Sequence, residues 1–189
     1  CGTSAGGILA LGLALRMMDL TSAKNFFTHT IRKVFENPSK IPFPSKLSPA
    51  VLEQVLKDMF GTDKLLCDLK PGEPVALTST SESNNTDSKI PHVFLVSSSG
   101  NSKPLKPILL SNYTCTKSKY SALQQVELWR ASRATSAAPF YFIPIEIDGY
   151  VCMDGGLCAN NPTLIALEEA DALWGLDNVR TVLSLGTGK

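Results

Sequence analysis

Histidine is nearly absent from this sequence: His29 and His92 are its only two. A catalytic triad or a zinc centre built on imidazole therefore has few residues to draw on. Charge imbalance is lacking too. Eighteen Lys and Arg against 17 Asp and Glu leave a net charge of +1. That gives no footprint for nucleic acid and no long-range steering toward an anionic surface. No apolar run approaches the roughly 18 residues of a membrane span; the longest, Ile8 to Leu15, is far shorter. The five cysteines, Cys1, Cys67, Cys115, Cys152 and Cys158, are scattered, odd in number and free of any CxxC pair. This argues against a disulfide framework or a zinc site and fits reduced thiols in an intracellular compartment, cytoplasmic or associated with an organelle membrane. No EF-hand loop or carboxylate cluster suggests calcium. An initiator Met is missing as well, so residue 1 is expected not to be the natural N-terminus.

What is present suits one globular domain. The 189 residues are 43% hydrophobic and 19% charged, enough to bury a sizeable core. Ile8 to Met18 reads as a helix apolar on most faces and hence buried. Thr21 to Phe35 is amphipathic, with Phe27, Ile31, Val34 and Phe35 on one face. Asn37 to Pro49 holds four prolines and reads as a loop. Ser48-Pro49 is a cap-and-proline start for a helix with Val51, Leu52, Val55, Leu56 and Met59 on one face and Gly61 as its stop. Val75 to Thr80, Val93 to Ser97, Ile108 to Leu110, Tyr150 to Met153 and Val179 to Leu185 read as strands. A polar, flexible loop is expected over about 81–91, solvated and without a catalytic role. Gln124 to Ala138, ended by Pro139, and Thr163 to Leu173, opened by Asn161-Pro162, read as helices. Strands alternating with helices predict a layered α/β domain.

Gly2-Thr3-Ser4-Ala5-Gly6-Gly7 is a Gly-x-Ser-x-Gly element followed at once by an apolar helix. A nucleophile on a sharp strand-to-helix turn needs small neighbours, here Gly2 and Gly6. The helix start supplies free N–H groups, Ala5 foremost, for a developing oxyanion. Alone, the motif equally describes a glycine-rich turn, one that cradles phosphate included. His29 and His92 lack an obvious orienting carboxylate and read as surface or packing residues. Asp154 is the better partner for Ser4: it ends a short strand, and Gly155 and Gly156 permit close approach by another segment. Asn160 and Asn161 can bond loop backbone and cap the following helix, pinning the Asp154 loop. Among other residues, Arg130 and Arg133 lie one turn apart and are read as solvated or paired before any contact with a lipid phosphate. Trp129 and Trp174 read as packing aromatics, Phe140, Tyr141 and Phe142 as a buried turn or acyl-pocket lining, and Cys158 as a small buried residue.

Four motifs occur in order: Gly2 to Gly7, Ser136-Ala137-Ala138-Pro139-Phe140-Tyr141-Phe142, Asp154-Gly155-Gly156-Leu157-Cys158-Ala159-Asn160-Asn161-Pro162, and Ser184-Leu185-Gly186-Thr187-Gly188. Together they resemble the patatin-like phospholipase domain, close to the calcium-independent phospholipases A2. The resemblance spans both ends of the chain and is weakest from Asn37 to Asn112. It implies a central, mostly parallel sheet flanked by helices, Ser4 as nucleophile and Asp154 as general base, with no cofactor and no metal. It also implies a phospholipid or other acyl-ester substrate and transient association with a membrane surface. A triacylglycerol lipase, lysophospholipase or transacylase would share these motifs, and a non-catalytic lipid- or protein-binding domain is the reading from another class. The family's glycine-rich oxyanion loop precedes the nucleophile strand and does not occur here, so residues 1–189 are expected to form a single, N-terminally truncated domain lacking the first strand or strands.

Overall fold

The structure is a computed structural model and describes residues 1–15, 19–36, 47–74 and 89–186. Among the described residues six strands form one sheet: β1 (Gly2–Thr3), β2 (Phe94–Ser99), β3 (Lys106–Ser111), β4 (Ser121–Leu123), β5 (Ile145–Ile147) and β6 (Tyr150–Asp154). The helices are α1 (Ala5–Ala14), α2 (Leu20–Phe35), α3 (Pro49–Phe60), α4 (Leu128–Thr135), α5 (Gly156–Ala159) and α6 (Thr163–Trp174). Alternation along the strands divides the core between two faces. Leu95, Ile108 and Leu110 pack with Leu11, Leu56 and Leu128 from α1, α3 and α4. Phe94, Val96 and Leu109 pack on the other face with Tyr113 and Ile165 of α6. The layered α/β architecture expected from the sequence is thus present.

The sheet is mixed rather than mostly parallel. Its order is β4-β3-β2-β6-β5, with β1 also on β2. β1–β2 and β3–β4 are parallel, whereas β2–β3, β2–β6 and β5–β6 are antiparallel. For β2–β3 and β5–β6 the cause is a short connection, which can join only antiparallel neighbours. The β5–β6 hairpin turns on Asp148 (φ 48°) and Gly149 (φ 78°), the two positive φ values a tight two-residue turn requires.

β2 is the strand that organises the site. Along one edge, Gly2 and Thr3 of β1 pair with Leu95 and Val96. Further along, Asp154, Met153 and Cys152 of β6 pair with Ser97, Ser98 and Ser99. β1 and β6 thus run toward each other along β2 and end at adjacent residues, Val96 and Ser97. The buried hydroxyls at this junction are satisfied, as burial requires: Ser97 Oγ donates to the Met153 carbonyl at 2.7 Å and Ser98 Oγ to the Asp154 carbonyl at 2.8 Å.

Several elements differ from the sequence expectation. α1 begins at Ala5, not Ile8, and the chain is described to Leu15; residues 16–18 lie outside the described residues. On α2, Asp19 caps the start by accepting the Ser22 N–H at 2.6 Å. Val34 is buried there and Phe27 half-buried. α3 starts at Pro49 and stops at Gly61 (φ 80°) as expected. α4 is much shorter than Gln124 to Ala138. Its expected first turn is instead committed to another segment: the Leu66 and Cys67 N–H groups donate to the Val126 and Gln124 carbonyls. Val179 to Leu185 is no strand: none of the described strands pairs with it, and Leu183 and Leu185 are exposed. An apolar run has strand propensity, but a strand needs a partner edge. The expected strand Val75 to Thr80, most of the proline-rich loop and the polar loop to Ser88 lie outside the described residues.

Candidate active site

Ser4 is forced out of the sheet. One more residue of parallel pairing would bring it opposite Ser97, a place that Asp154 holds. The chain turns there with Ser4 at φ 55° and ψ −129°, a conformation costing a non-glycine residue about 1–3 kcal/mol. α1 starts at the next residue, and its first bonds run from the Gly7 and Ile8 N–H groups to the Ser4 carbonyl. The Ala5 N–H stands ahead of those bonds, at the positive end of the helix dipole. Gly2 is sterically required: a Cβ there would lie 2.3 Å from the Gly6 carbonyl oxygen. Gly6 is not, because a Cβ on it meets nothing within 4 Å. The expectation that both glycines avoid clashes therefore holds for Gly2 alone.

The Ser4 hydroxyl donates to Asp154 Oδ2 at 2.7 Å. The other carboxylate oxygen, Oδ1, accepts the Gly156 N–H at 2.7 Å. One oxygen is thereby anchored to its own loop while the other faces the serine, within general-base reach. Asp154 is 7% exposed. Its N–H donates to the Ala137 carbonyl at 3.0 Å and the Gly155 N–H to the Thr135 carbonyl at 3.2 Å. Gly155 lies so close to β2 that a Cβ would sit 2.1 Å from the Val96 carbonyl oxygen. A hydroxyl, a carboxylate within hydrogen-bond reach of its proton and a helix N-terminus beside both form an arrangement suited to acyl transfer.

The two asparagines divide. Asn161 accepts the Thr163 N–H at 3.0 Å at the start of α6 and donates to Ser184 Oγ at 3.3 Å. It accepts from the first residue of α6, but the N-cap is Pro162 and not Asn161 as expected, and the Asn161 side-chain bonds go to Thr163 and Ser184 rather than to the Asp154 loop. Asn160 Oδ1 would lie 3.5 Å from a Cβ on Gly156. Neither histidine bonds Ser4. His29 is on the exposed face of α2, and His92 packs against Tyr113 and Trp174 at 5.2 and 4.9 Å. Both fit the packing or surface reading. Arg133 is 1% exposed: it donates to the Ile143 carbonyl at 2.8 Å, and its Nε lies 3.5 Å from Glu53 Oε1, an ion-pair contact. Burial pushes its pKa below the usual guanidinium range, with Glu53 opposing. Arg130 pairs with Glu127 at 3.2 Å. Both arginines are thus paired, in line with the first reading of them. Trp129 packs partly buried against the core and Trp174 against His92. Cys158 is half-buried, not buried. Of the Phe140 to Phe142 turn only Phe142 is buried; Phe140 is 73% exposed at φ 69°, so the buried-turn reading fails for it.

Sequence reasoning missed Thr135, Ser98 and Thr3. Thr135 Oγ1 accepts the Ser4 N–H at 2.9 Å, and Thr3 Oγ1 donates to the Ala159 carbonyl at 2.8 Å beyond the Asp154 loop. The one available signal was position: Thr135 directly precedes the Ser136 to Phe142 motif, and Thr3 lies inside the first. Among the described residues no group of three or more His, Cys, Asp or Glu side chains is placed to hold a metal ion, and no helix is long and apolar enough to cross a membrane.

A family model described as patatin-like phospholipase matches residues 1–167. The chain belongs to the patatin-like phospholipase family. Ser4 and Asp154 both fall inside the matched span of this patatin-like domain. Over its whole length the domain is 32% identical to the calcium-independent phospholipase A2-gamma of Rattus norvegicus and 31% identical to the patatin-like phospholipase 1 of Plasmodium falciparum. It is 27% identical to the phospholipase A I of Arabidopsis thaliana. It spans 24%, 29% and 18% of those three relatives, respectively.

Proposed function

We propose that this patatin-like domain is the catalytic centre of a serine lipid acyl hydrolase that cleaves fatty-acyl esters of glycerophospholipids. The observation that carries the reading is the 2.7 Å hydrogen bond from Ser4 Oγ to Asp154 Oδ2 at the ends of two strands that meet on β2. Family membership and the printed names of the relatives supply the substrate class. In the first step Ser4 Oγ attacks the acyl carbonyl carbon and its proton passes to Asp154. The oxyanion of the tetrahedral intermediate takes a hydrogen bond from the Ala5 N–H. The C–O bond to the glycerol oxygen breaks, and that oxygen leaves with the proton from Asp154. Water then attacks the acyl-serine, giving its proton to Asp154; the C–Oγ bond breaks, Ser4 is reprotonated and the fatty acid departs. The scheme assigns no step to a metal, which agrees with relatives named as calcium-independent.

The exposed Phe140, with Tyr141 and Ile143 beside it, supports transient association with a lipid surface. An intracellular setting, cytoplasmic or beside an organelle membrane, rests on five unpaired cysteines.

The test uses the full-length protein and a fluorophosphonate probe. Ser4→Ala abolishes labelling, and Asp154→Asn lowers turnover by about 10²- to 10⁴-fold with an unchanged circular dichroism spectrum. Equal labelling of the Ser4→Ala protein, or full turnover without the Asp154 carboxylate, overturns the proposal.

A further inference from the structure

We infer that Thr135 is a positioning residue for this reaction, its hydroxyl holding the nucleophile's backbone and its carbonyl the base's loop in a common frame. The inference rests on the roles proposed above for Ser4 and Asp154.

Ser4 leaves its strand where Asp154 occupies the next place on β2, so its N–H has lost the sheet partner that a longer strand would provide. A buried N–H without a partner is costly. Thr135 Oγ1 fills the gap, accepting the Ser4 N–H at 2.9 Å. The same hydroxyl donates its single proton to the Val96 carbonyl at 2.5 Å, because Ser4 offers only a donor. Its orientation is thus fixed from both sides. Val96 is the residue opposite Thr3, where β1 ends.

The backbone of Thr135 serves the other half of the site. Its carbonyl accepts the Gly155 N–H at 3.2 Å, and two residues on, the Ala137 carbonyl accepts the Asp154 N–H at 3.0 Å. The methyl completes the frame: Thr135 Cγ2 would lie 3.0 Å from a Cβ on Gly7, against the first turn of α1. Hydroxyl, carbonyl and methyl of one fully buried residue therefore meet the nucleophile's turn, the base's loop and the helix that faces the oxyanion. Thr135 touches neither substrate nor the transferred proton. It acts by setting where Ser4 Oγ stands relative to Asp154 Oδ2, and displacements of that kind, near 1 Å, cost up to about 10²-fold in rate.

The experiment compares Thr135→Ser, Thr135→Cys and Thr135→Val in the full-length protein, with kcat and KM measured on a soluble short-chain p-nitrophenyl ester and labelling rates measured with a fluorophosphonate. Serine keeps the hydroxyl and loses only the methyl; cysteine is of similar size but a weak acceptor; valine keeps the shape and has no acceptor. The expected result is a kcat for Thr135→Val reduced by roughly 10- to 100-fold with KM little changed, an intermediate loss for cysteine, and recovery in serine. A general packing defect would instead lower the folded fraction of all three and leave kcat per folded molecule alone. Equal kcat per active site for the serine and cysteine variants overturns the inference, as does a serine variant as slow as valine. If the valine variant does not fold, the serine–cysteine comparison decides alone. Ser4→Ala is run beside them. If it retains turnover, the proposed function fails; if it is inactive while Thr135→Val is fully active, only the positioning role fails.

Discussion

At the scale of single residues, three glycines look alike in the sequence and differ in what surrounds them. Gly2 and Gly155 each lie against backbone that cannot retreat, 2.3 and 2.1 Å from where the Cβ of an alanine would stand, whereas Gly6 faces open space. Gly2→Ala and Gly155→Ala are expected to destabilise the domain by about 3 kcal/mol or more, since overpacking against a main chain has no side-chain relief. Gly6→Ala, in the first turn of a helix, is expected to stabilise it by about 0.5–1 kcal/mol. Urea denaturation of the three variants checks the ranking, and a Gly6→Ala loss as large as the other two contradicts it. The residue scale was also where the sequence was most informative. Ser4 and Asp154 sit in motifs whose glycines advertise a turn. Thr135 does not, because a threonine at a helix end reads as an ordinary helical residue until the segments it bonds are known.

At the scale of elements, legibility followed local chemistry. α3 is bounded by signals in its own sequence, Ser48-Pro49 at one end and Gly61 at the other, and the structure keeps both. β4 and β5 have three residues each, too few for periodicity to register. The expected first turn of α4 and the expected strand from Val179 differ from the structure for one reason: whether a segment is helix or strand there depends on a partner distant in sequence, Leu66 and Cys67 in one case and, in the other, an edge that none of the described strands offers. Distant elements also set the behaviour of His92. It precedes β2 and packs its ring against Tyr113, after β3, and Trp174, at the end of α6. The Tyr113 hydroxyl donates to Glu169 at 2.9 Å, and burial, then Glu169, raises the phenol well above its usual range. Burial lowers the His92 pKa below its ordinary 6.5, so the folded state favours the neutral ring. Its contribution to stability is therefore fully present above the unfolded pKa and is lost as pH falls through the lowered folded value. Thermal melts between about pH 7.5 and about pH 5 are expected to fall more steeply for the natural protein than for His92→Phe; parallel slopes would remove His92 from the account.

At the scale of the whole molecule, apolar surface and active site lie on one stretch of chain. The segment whose Ala137 carbonyl holds the Asp154 N–H continues within three residues to Phe140, exposed at a backbone angle that suits glycine better. With a net charge of only +1 in this chain, contact with a lipid surface would draw on such apolar side chains. Phe140→Asp is expected to slow hydrolysis of phosphatidylcholine vesicles by about 10-fold and to leave the rate on a soluble short-chain ester unchanged. Equal losses on both substrates would move Phe140 from the lipid surface to the acyl pocket. The layered architecture was legible in the alternation of elements, but the meeting of β1 and β6 on β2 was not, since a two-residue strand carries no register of its own. That meeting makes β2 a ruler with consequences for how the gene can change. The connection after β2 is tied to β6 where it starts, the Gly100 N–H donating to the Val151 carbonyl and Asn101 Oδ1 accepting the Val151 N–H, so it can lengthen over residues 102–105 without loosening the strand that bears Asp154. A single codon inserted between Val96 and Ser97 would part Ser4 from Asp154 by one strand residue, roughly 3.3 Å, more than the hydrogen bond that joins them. Growth in that strand separates the two site residues, and growth over residues 102–105 does not.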